Sequence, residues 1–279
     1  MVTGATGGIG SAIIRALYAK GEPLIVAACR HPERLDTLTA DLRHQFPASA
    51  SRILPHRIDL SSFSAVLTSA SKLISDGIRL RALINNAGTM PLRHHITPDG
   101  HEEATQVNYL STVLLTRLLL PAIADGGTIM FTVSVTRRLT SPRPDFDTKA
   151  IAARGRIAHF MNYARSKSLL THYALELSLE LQPRHIAVCC SDPGVVDSGI
   201  ITLGMPLIDR AADLLFRPLI STPEQGATPA LAALDNPVSG AIYTSHRLSV
   251  IPLQWLDNTA HRDAYVHTNA IISDITLGK

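Results

Sequence analysis

Short apolar runs alternate with helical patterns along the whole chain, and few folds accept that order. The runs occupy residues 23–29, 53–58, 80–84, 128–133, 185–190 and 240–244; the helical patterns occupy 9–19, 32–46, 61–74, 99–124, 157–181 and 223–234. Runs this short, apolar on consecutive rather than alternate residues, predict strands buried on both faces. Strand, helix and strand in succession predict right-handed crossovers, hence a parallel sheet with helices on both sides. The expected fold class is α/β, a doubly wound parallel sheet in three layers. A length of 279 residues suits one large domain. No internal repeat, low-complexity tract or linker divides it, so residues 1–279 read as a single domain.

Charge and composition narrow the function. The net charge is +3 and the pI about 8.9, too mild and too scattered to predict a nucleic-acid partner. Cys29, Cys189 and Cys190 are the only cysteines; sparse and set in apolar runs, they read as reduced core thiols of a cytoplasmic protein. The histidines, His94 and His95 included, lack metal-ligand spacing, and no metal site is expected. No secretory signal is read. The longest apolar stretch, 113–124, contains Arg117 and is too short to span a bilayer. Segment 200–220 carries Asp209, Arg210, Asp213 and Arg217, which favours an amphipathic lid over membrane contact. Two long loops, about 137–156 and 195–219, follow strands and should lie at the carboxyl edge of the sheet, where open α/β folds bind ligands.

Chemistry concentrates in a few motifs. Glycines cluster where the first strand should turn into a helix, in Met1-Val2-Thr3-Gly4-Ala5-Thr6-Gly7-Gly8-Ile9-Gly10; such a turn lets backbone N–H groups and a helix N-terminus approach a pyrophosphate. Tyr163 and Lys167 stand four apart in a helical pattern and so share a face. A cation beside a phenol favours phenolate and lowers its pKa. Asn85-Asn86-Ala87-Gly88 ends the third run, Asn108 sits inside a helix, Ser134 follows the run 128–133, and Asp192-Pro193-Gly194-Val195-Val196-Asp197-Ser198 follows 185–190.

In this order and spacing the motifs resemble the short-chain dehydrogenase/reductase superfamily, whose fold is a Rossmann-type sheet. Gly4, Gly8 and Gly10 fit its standard-length branch, while Gly4, Gly7 and Gly10 fit the extended, epimerase-like branch. Chain length and the Asn-Asn-Ala-Gly turn favour the former. The resemblance implies a catalytic set of Asn108, Ser134, Tyr163 and Lys167. Tyr163 would be the general acid in reduction and base in oxidation. Lys167 would lower its pKa and hold the nicotinamide ribose, Ser134 would orient the carbonyl, and Asn108 would fix a relay water. It also implies cofactor contacts from Gly4, Thr6, Gly8, Ile9, Gly10, Arg30, Asp59, Leu60, Asn86, Ala87, Gly88, Tyr163, Lys167, Pro193, Gly194, Val196 and Ser198. Arg30 ends the second strand where an acidic residue would select NAD(H); its planar fork suits a 2′-phosphate, so NADP(H) is the expected cofactor.

Two departures shape the expectation further. Only Met1 and Val2 precede the glycine turn, where similar proteins have a longer apolar run. A short central strand gives up buried side chains worth roughly 1.5–3 kcal/mol each. It reads as a fragment, a misassigned start or weakened cofactor binding, and it motivates the alternative of a regulatory dinucleotide-binding protein with little or no catalysis. The long gap from Ser134 to Tyr163 is similar to retinol-dehydrogenase-like and WW-domain-oxidoreductase-like members, which implies a lipophilic alcohol or carbonyl substrate. Many relatives pair through the helices bearing Asn108 and Tyr163, so a homodimer is the assembly to test.

Overall fold

The parallel pairing predicted from the apolar runs organises a single eight-stranded sheet in the computed structural model, which describes residues 1–91, 93–140, 156–194, 221–244, 248–250 and 259–278. The strands are β1 (Val2–Thr3), β2 (Leu24–Cys29), β3 (Arg52–Arg57), β4 (Leu80–Asn85), β5 (Ile123–Thr132), β6 (Ala187–Asp192), β7 (Ala241–Thr244) and β8 (Leu248–Val250), in the spatial order β3-β2-β1-β4-β5-β6-β7-β8. All neighbours run parallel except β7 and β8. β2, Leu-Ile-Val-Ala-Ala-Cys, is buried at every position but the first, as a strand covered on both faces must be.

Helices cover both faces. They are α1 (Gly8–Ala19), α2 (Leu35–Gln45), α3 (Phe63–Ser75), α4 (Glu103–Thr105), α5 (Ser111–Leu119), α6 (Arg156–Glu180), α7 (Pro223–Asp235) and α8 (Thr259–Leu277). In α3 the buried Phe63, Val66, Ala70 and Leu73 recur every three or four residues, one stripe of a helix. Its Ser62 cap accepts the Ala65 amide, while Thr222 and Gln225 form a reciprocal capping box on α7. One core layer joins α3, α5, α6 and α8 to the sheet; the other joins α1, α2 and α7 to the opposite face.

The strand order places the site. From β1 the chain winds outward to β2 and β3, then returns to β4 on the other side of β1. That reversal opens a crevice at the carboxyl ends of β1 and β4, where doubly wound sheets bind ligands.

One predicted element differs, and two observed elements were not predicted. The pattern over 99–124 is not one helix: Glu102 caps α4 by accepting the Ala104 and Thr105 amides, a π-helical turn spans Gln106–Leu110, and α5 ends at Leu119. Pro121 then belongs to a 3₁₀ turn and β5 begins at Ile123, because proline cannot donate the next helical hydrogen bond. β8 and α8 lie beyond the predicted elements. α8 buries only Ala264, Thr268 and Ile272, a stripe too thin and polar to stand out in the chain. As expected, β1 is short. Below Met1, between β2 and β4, lies a cavity of about 380 Å³ lined by residues such as Leu24, Val26, Leu80 and Ala82.

Candidate active site

The glycine turn is built by two close approaches. Gly4 has φ +66° and lies so near the β4 turn that a Cβ would meet the Ala87 Cα at 2.9 Å. Gly10 presses on the same turn from α1: a Cβ there would lie 2.1 Å from the Gly4 carbonyl oxygen. Gly7 faces ordinary contact, 3.4 Å from that oxygen, and is the N-cap of α1 with no side chain to cap it. The Gly4 carbonyl accepts the Gly7 amide and the Gly7 carbonyl the Ser11 amide. The amides of the first turn of α1 thus face the turn uncapped by a side chain, a donor set that fits a phosphate. Thr6 and Gly7 are exposed, and Gly8 and Ile9 half-buried.

The Asn-Asn-Ala-Gly turn splices β4 to β1. Asn86 Nδ2 donates to the Thr3 carbonyl at 3.0 Å, and the Ala87 amide donates to the Thr3 hydroxyl at 3.0 Å. Asn85 is instead a core residue, donating to Thr116 Oγ1 from a buried position. Gly88 leaves room for what stands behind it: a Cβ would sit 3.2 Å from Lys167 Nζ and 3.3 Å from Asn108 Oδ1.

The four residues of the expected catalytic set converge at this point. Ser134 follows β5, and its hydroxyl accepts the Thr136 amide at 3.3 Å while sharing a hydrogen bond with the Tyr163 side chain. Lys167, one turn further along α6, donates from Nζ to the Thr132 carbonyl at 2.8 Å and lies 5.8 Å from the centre of the Tyr163 ring. Asn108 stands in the π-helical turn. Its amide group donates to the Thr89 carbonyl (2.9 Å) and Ser166 Oγ (3.0 Å), and its Oδ1 accepts the Thr89 amide (2.7 Å). The extra backbone residue of a π turn re-aims a side chain, which is why such turns recur at functional sites.

Burial governs the proton chemistry. Lys167 is 3% exposed, and loss of water lowers its pKa to about 8 against the opposing pull of Asp192 and Cys190. Tyr163 corrects an expectation: its pKa is raised rather than lowered. Desolvation outweighs the Ser134 hydrogen bond, which acts in the other direction, and the Asp192 charge adds to the rise. The phenol is therefore protonated at neutral pH, ready to donate in the reductive direction.

Arg30 follows β2, is exposed, and forms no ion pair among the described residues. Asp59 is half-buried beyond β3, its Oδ1 accepting both the amide and the hydroxyl of Ser61 (2.9 and 2.7 Å), with Leu60 buried beside it. Pro193 is buried after β6, and Gly194 turns the chain with φ +74°, donating its amide to Asp192 Oδ1 at 3.1 Å. Val196 and Ser198 lie outside the described residues, as do the lid expected at 200–220 and most of the loop before α6. Sequence reasoning missed Thr3, Thr89, Thr132 and Ser166, which hold the site through backbone groups or hydroxyls. It also missed Arg137, whose guanidinium pairs with Asp192. Only Thr3 and Asp192, inside recognised motifs, carried a signal. Among the described residues no group of three His, Cys, Asp or Glu is placed to hold a metal, and no helix is long and apolar enough to cross a membrane.

The chain is similar to known proteins. Residues 1–143 match the model of the short chain dehydrogenase family. Mouse (Mus musculus) polyprenol dehydrogenase is 32% identical over 234 residues, 81% of this chain and 68% of that protein. Human (Homo sapiens) retinol dehydrogenase 12 is 29% identical over 272 residues, 94% of this chain and 82% of its own. Among solved structures, an angucycline C-6 ketoreductase with bound NADP superposes with a TM-score of 0.66 at 22% identity, covering 88% of this chain and 92% of that one. The chain belongs to the short-chain dehydrogenase/reductase family, in its retinol-dehydrogenase-like group.

Proposed function

We propose that this protein interconverts an alcohol and a carbonyl on a lipophilic small molecule, using NADP(H) as hydride carrier. One observation carries the reading: the hydrogen-bonded Ser134–Tyr163 pair, with Lys167 one turn behind, stands at the crevice beside the glycine turn. The likeness to polyprenol and retinol dehydrogenases supports the lipophilic substrate. The NADP in the ketoreductase supports the cofactor, and so does exposed Arg30 at the end of β2, with no acidic residue in its place.

The cofactor, when bound, supplies or removes the hydride. The first turn of α1 and Gly4 would receive its pyrophosphate, and Gly88 would admit its ribose close to Lys167. Ser134 donates a hydrogen bond to the substrate oxygen, keeping its own proton, as negative charge grows there. Tyr163, held as a neutral phenol by burial, gives its proton to that oxygen. The Lys167 ammonium then stabilises the phenolate left behind. Asn108 holds the Thr89 backbone and so the wall opposite Lys167.

NADPH oxidation followed by absorbance against a panel of apolar ketones and aldehydes tests the reading. Turnover is expected, and Tyr163→Phe should abolish it while NADPH affinity changes little. Cofactor binding without reduction of any substrate would replace the reading with a regulatory dinucleotide-binding protein.

A further inference from the structure

Beyond the catalytic set, a buried charge pair stands where the sheet stops holding its own strands. The last ladder bond between β5 and β6 runs from the Val133 amide to the Ser191 carbonyl, at 2.8 Å. One residue further on each strand come Ser134 and Asp192. There Arg137, in the 3₁₀ turn after β5, spans the gap. Its Nη1 donates to the Ser134 carbonyl at 2.9 Å and to Asp192 Oδ2, and its backbone amide donates to the same Ser134 carbonyl at 3.0 Å. The other Asp192 oxygen accepts the Gly194 amide. Arg137 and Asp192 side chains are 6% and 7% exposed.

We propose that Arg137 and Asp192 are positioning residues that clamp the Ser134 backbone to the Pro193–Gly194 turn and so set the distance between the carbonyl-orienting hydroxyl and the cofactor-facing loop. The proposal rests on the hydride-transfer reading of Ser134. A buried ion pair is a poor way to gain stability, because desolvation offsets the attraction and an apolar pair of similar volume often serves as well. What an apolar pair does not do is aim hydrogen bonds. Here both charged partners spend a bond on the site itself: one on the carbonyl of Ser134, one on the amide of Gly194. Asp192 also faces Lys167, together with Cys190 from β6, and its charge reaches Tyr163 on α6. Arg137, from the turn after β5, is the remaining charge in contact with this carboxylate.

Three variants test the clamp: Asp192→Asn, Arg137→Met and the double Arg137→Met with Asp192→Leu. Each single variant should lose about 10²-fold in kcat, the cost of an ångström-scale misplacement. Asp192→Asn should also move the alkaline limb of the kcat/KM profile to lower pH by roughly half a unit or more, as expected when a carboxylate supporting an ammonium is removed. The double variant should recover the wild-type Tm and still be slow. Recovery of both Tm and kcat would reduce the pair to a structural element and overturn the proposal. NADPH affinity, read from cofactor fluorescence, separates this from the functional reading. If wild type binds NADPH but reduces no ketone, the functional reading fails. The clamp then stands if Asp192→Asn weakens NADPH about tenfold, and falls if affinity is unchanged. If wild type does not bind NADPH at all, both fall.

Discussion

The Thr3 hydroxyl accepts the Ala87 amide at 3.0 Å and donates toward the Ile84 carbonyl at 3.4 Å, so one side chain joins the ends of β1 and β4 beneath the glycine turn. Thr3 is 1% exposed. With β1 only two residues long, side-chain bonds take over work that ladder bonds would otherwise do. Thr3→Val keeps the shape and leaves the Ala87 amide without its acceptor, a loss of about 1–3 kcal/mol. Thermal melts should show a Tm lower by about 2–4 °C for each kcal/mol, with weaker NADPH binding. An unchanged Tm would show that the turn holds without Thr3.

Two glycines of the turn make separate predictions. Gly10→Ala drives a Cβ into the Gly4 carbonyl at 2.1 Å, backbone against backbone, with no flexible side chain to yield. It should cost several kcal/mol, about 3 or more, and leave little folded protein. Gly7→Ala places its Cβ at an ordinary 3.4 Å and should cost within about 1 kcal/mol, the loss of a fair helix cap. Urea melts of the two variants decide it, and equal destabilisation would reject the packing described for the turn.

How much of this was legible in the chain follows from what each part is made of. β2 and β6 announced themselves as apolar runs because both of their faces are covered, and β4 did so despite exposed Arg81 near its start. Tyr163, Lys167, Ser134 and Asn108 were legible as a spaced set, and the structure brings all four together. The turn at Gln106–Leu110 was not, since a π turn differs from an α-helix by hydrogen-bond register and not by composition. β8 and α8 hid for different reasons: β8 is only three residues long, and α8 meets the core along a narrow stripe, so polar residues fill about half its length. The pairing of Arg137 with Asp192 joins residues 55 apart that only the fold makes neighbours. The sign of the Tyr163 shift was misjudged because burial, which no spacing encodes, outweighs the Ser134 hydrogen bond and the Asp192 charge adds to it.

Docking of α8 should hinge on Arg117. Its guanidinium donates to Tyr173, Tyr265 and Glu180, tying α5, α6 and α8 at one point, and the Tyr265 hydroxyl also donates to Glu180. Stacking of Tyr173 on Tyr265 at 4.7 Å adds an apolar contact to the polar one. Arg117→Met keeps the stem but drops every one of these donors. Hydrogen exchange should quicken across 259–277 and stay slow in α3, which Arg117 does not contact. Equal acceleration in both would mean that α8 and the core open as one unit.

Lys167 should make the protein less stable below its own pKa. The folded value is about 8, lowered by burial from an ordinary 10.5. Above 10.5 the amine is neutral in both states and costs nothing. Between 10.5 and 8 the unfolded chain binds the proton and the folded one does not, so stability falls as pH falls; below 8 the full penalty, on the order of 3 kcal/mol, is present. Lys167→Met removes the ionisation, although it also strips a donor from the Thr132 carbonyl. Wild type should therefore gain on the variant as pH rises from 8 toward 9.5 in paired urea melts, because every other titrating group is shared and cancels in the difference. A difference that stays flat over that range would mean the ammonium is solvated after all, and with it would go the dry site in which Lys167 is read as the partner of Tyr163.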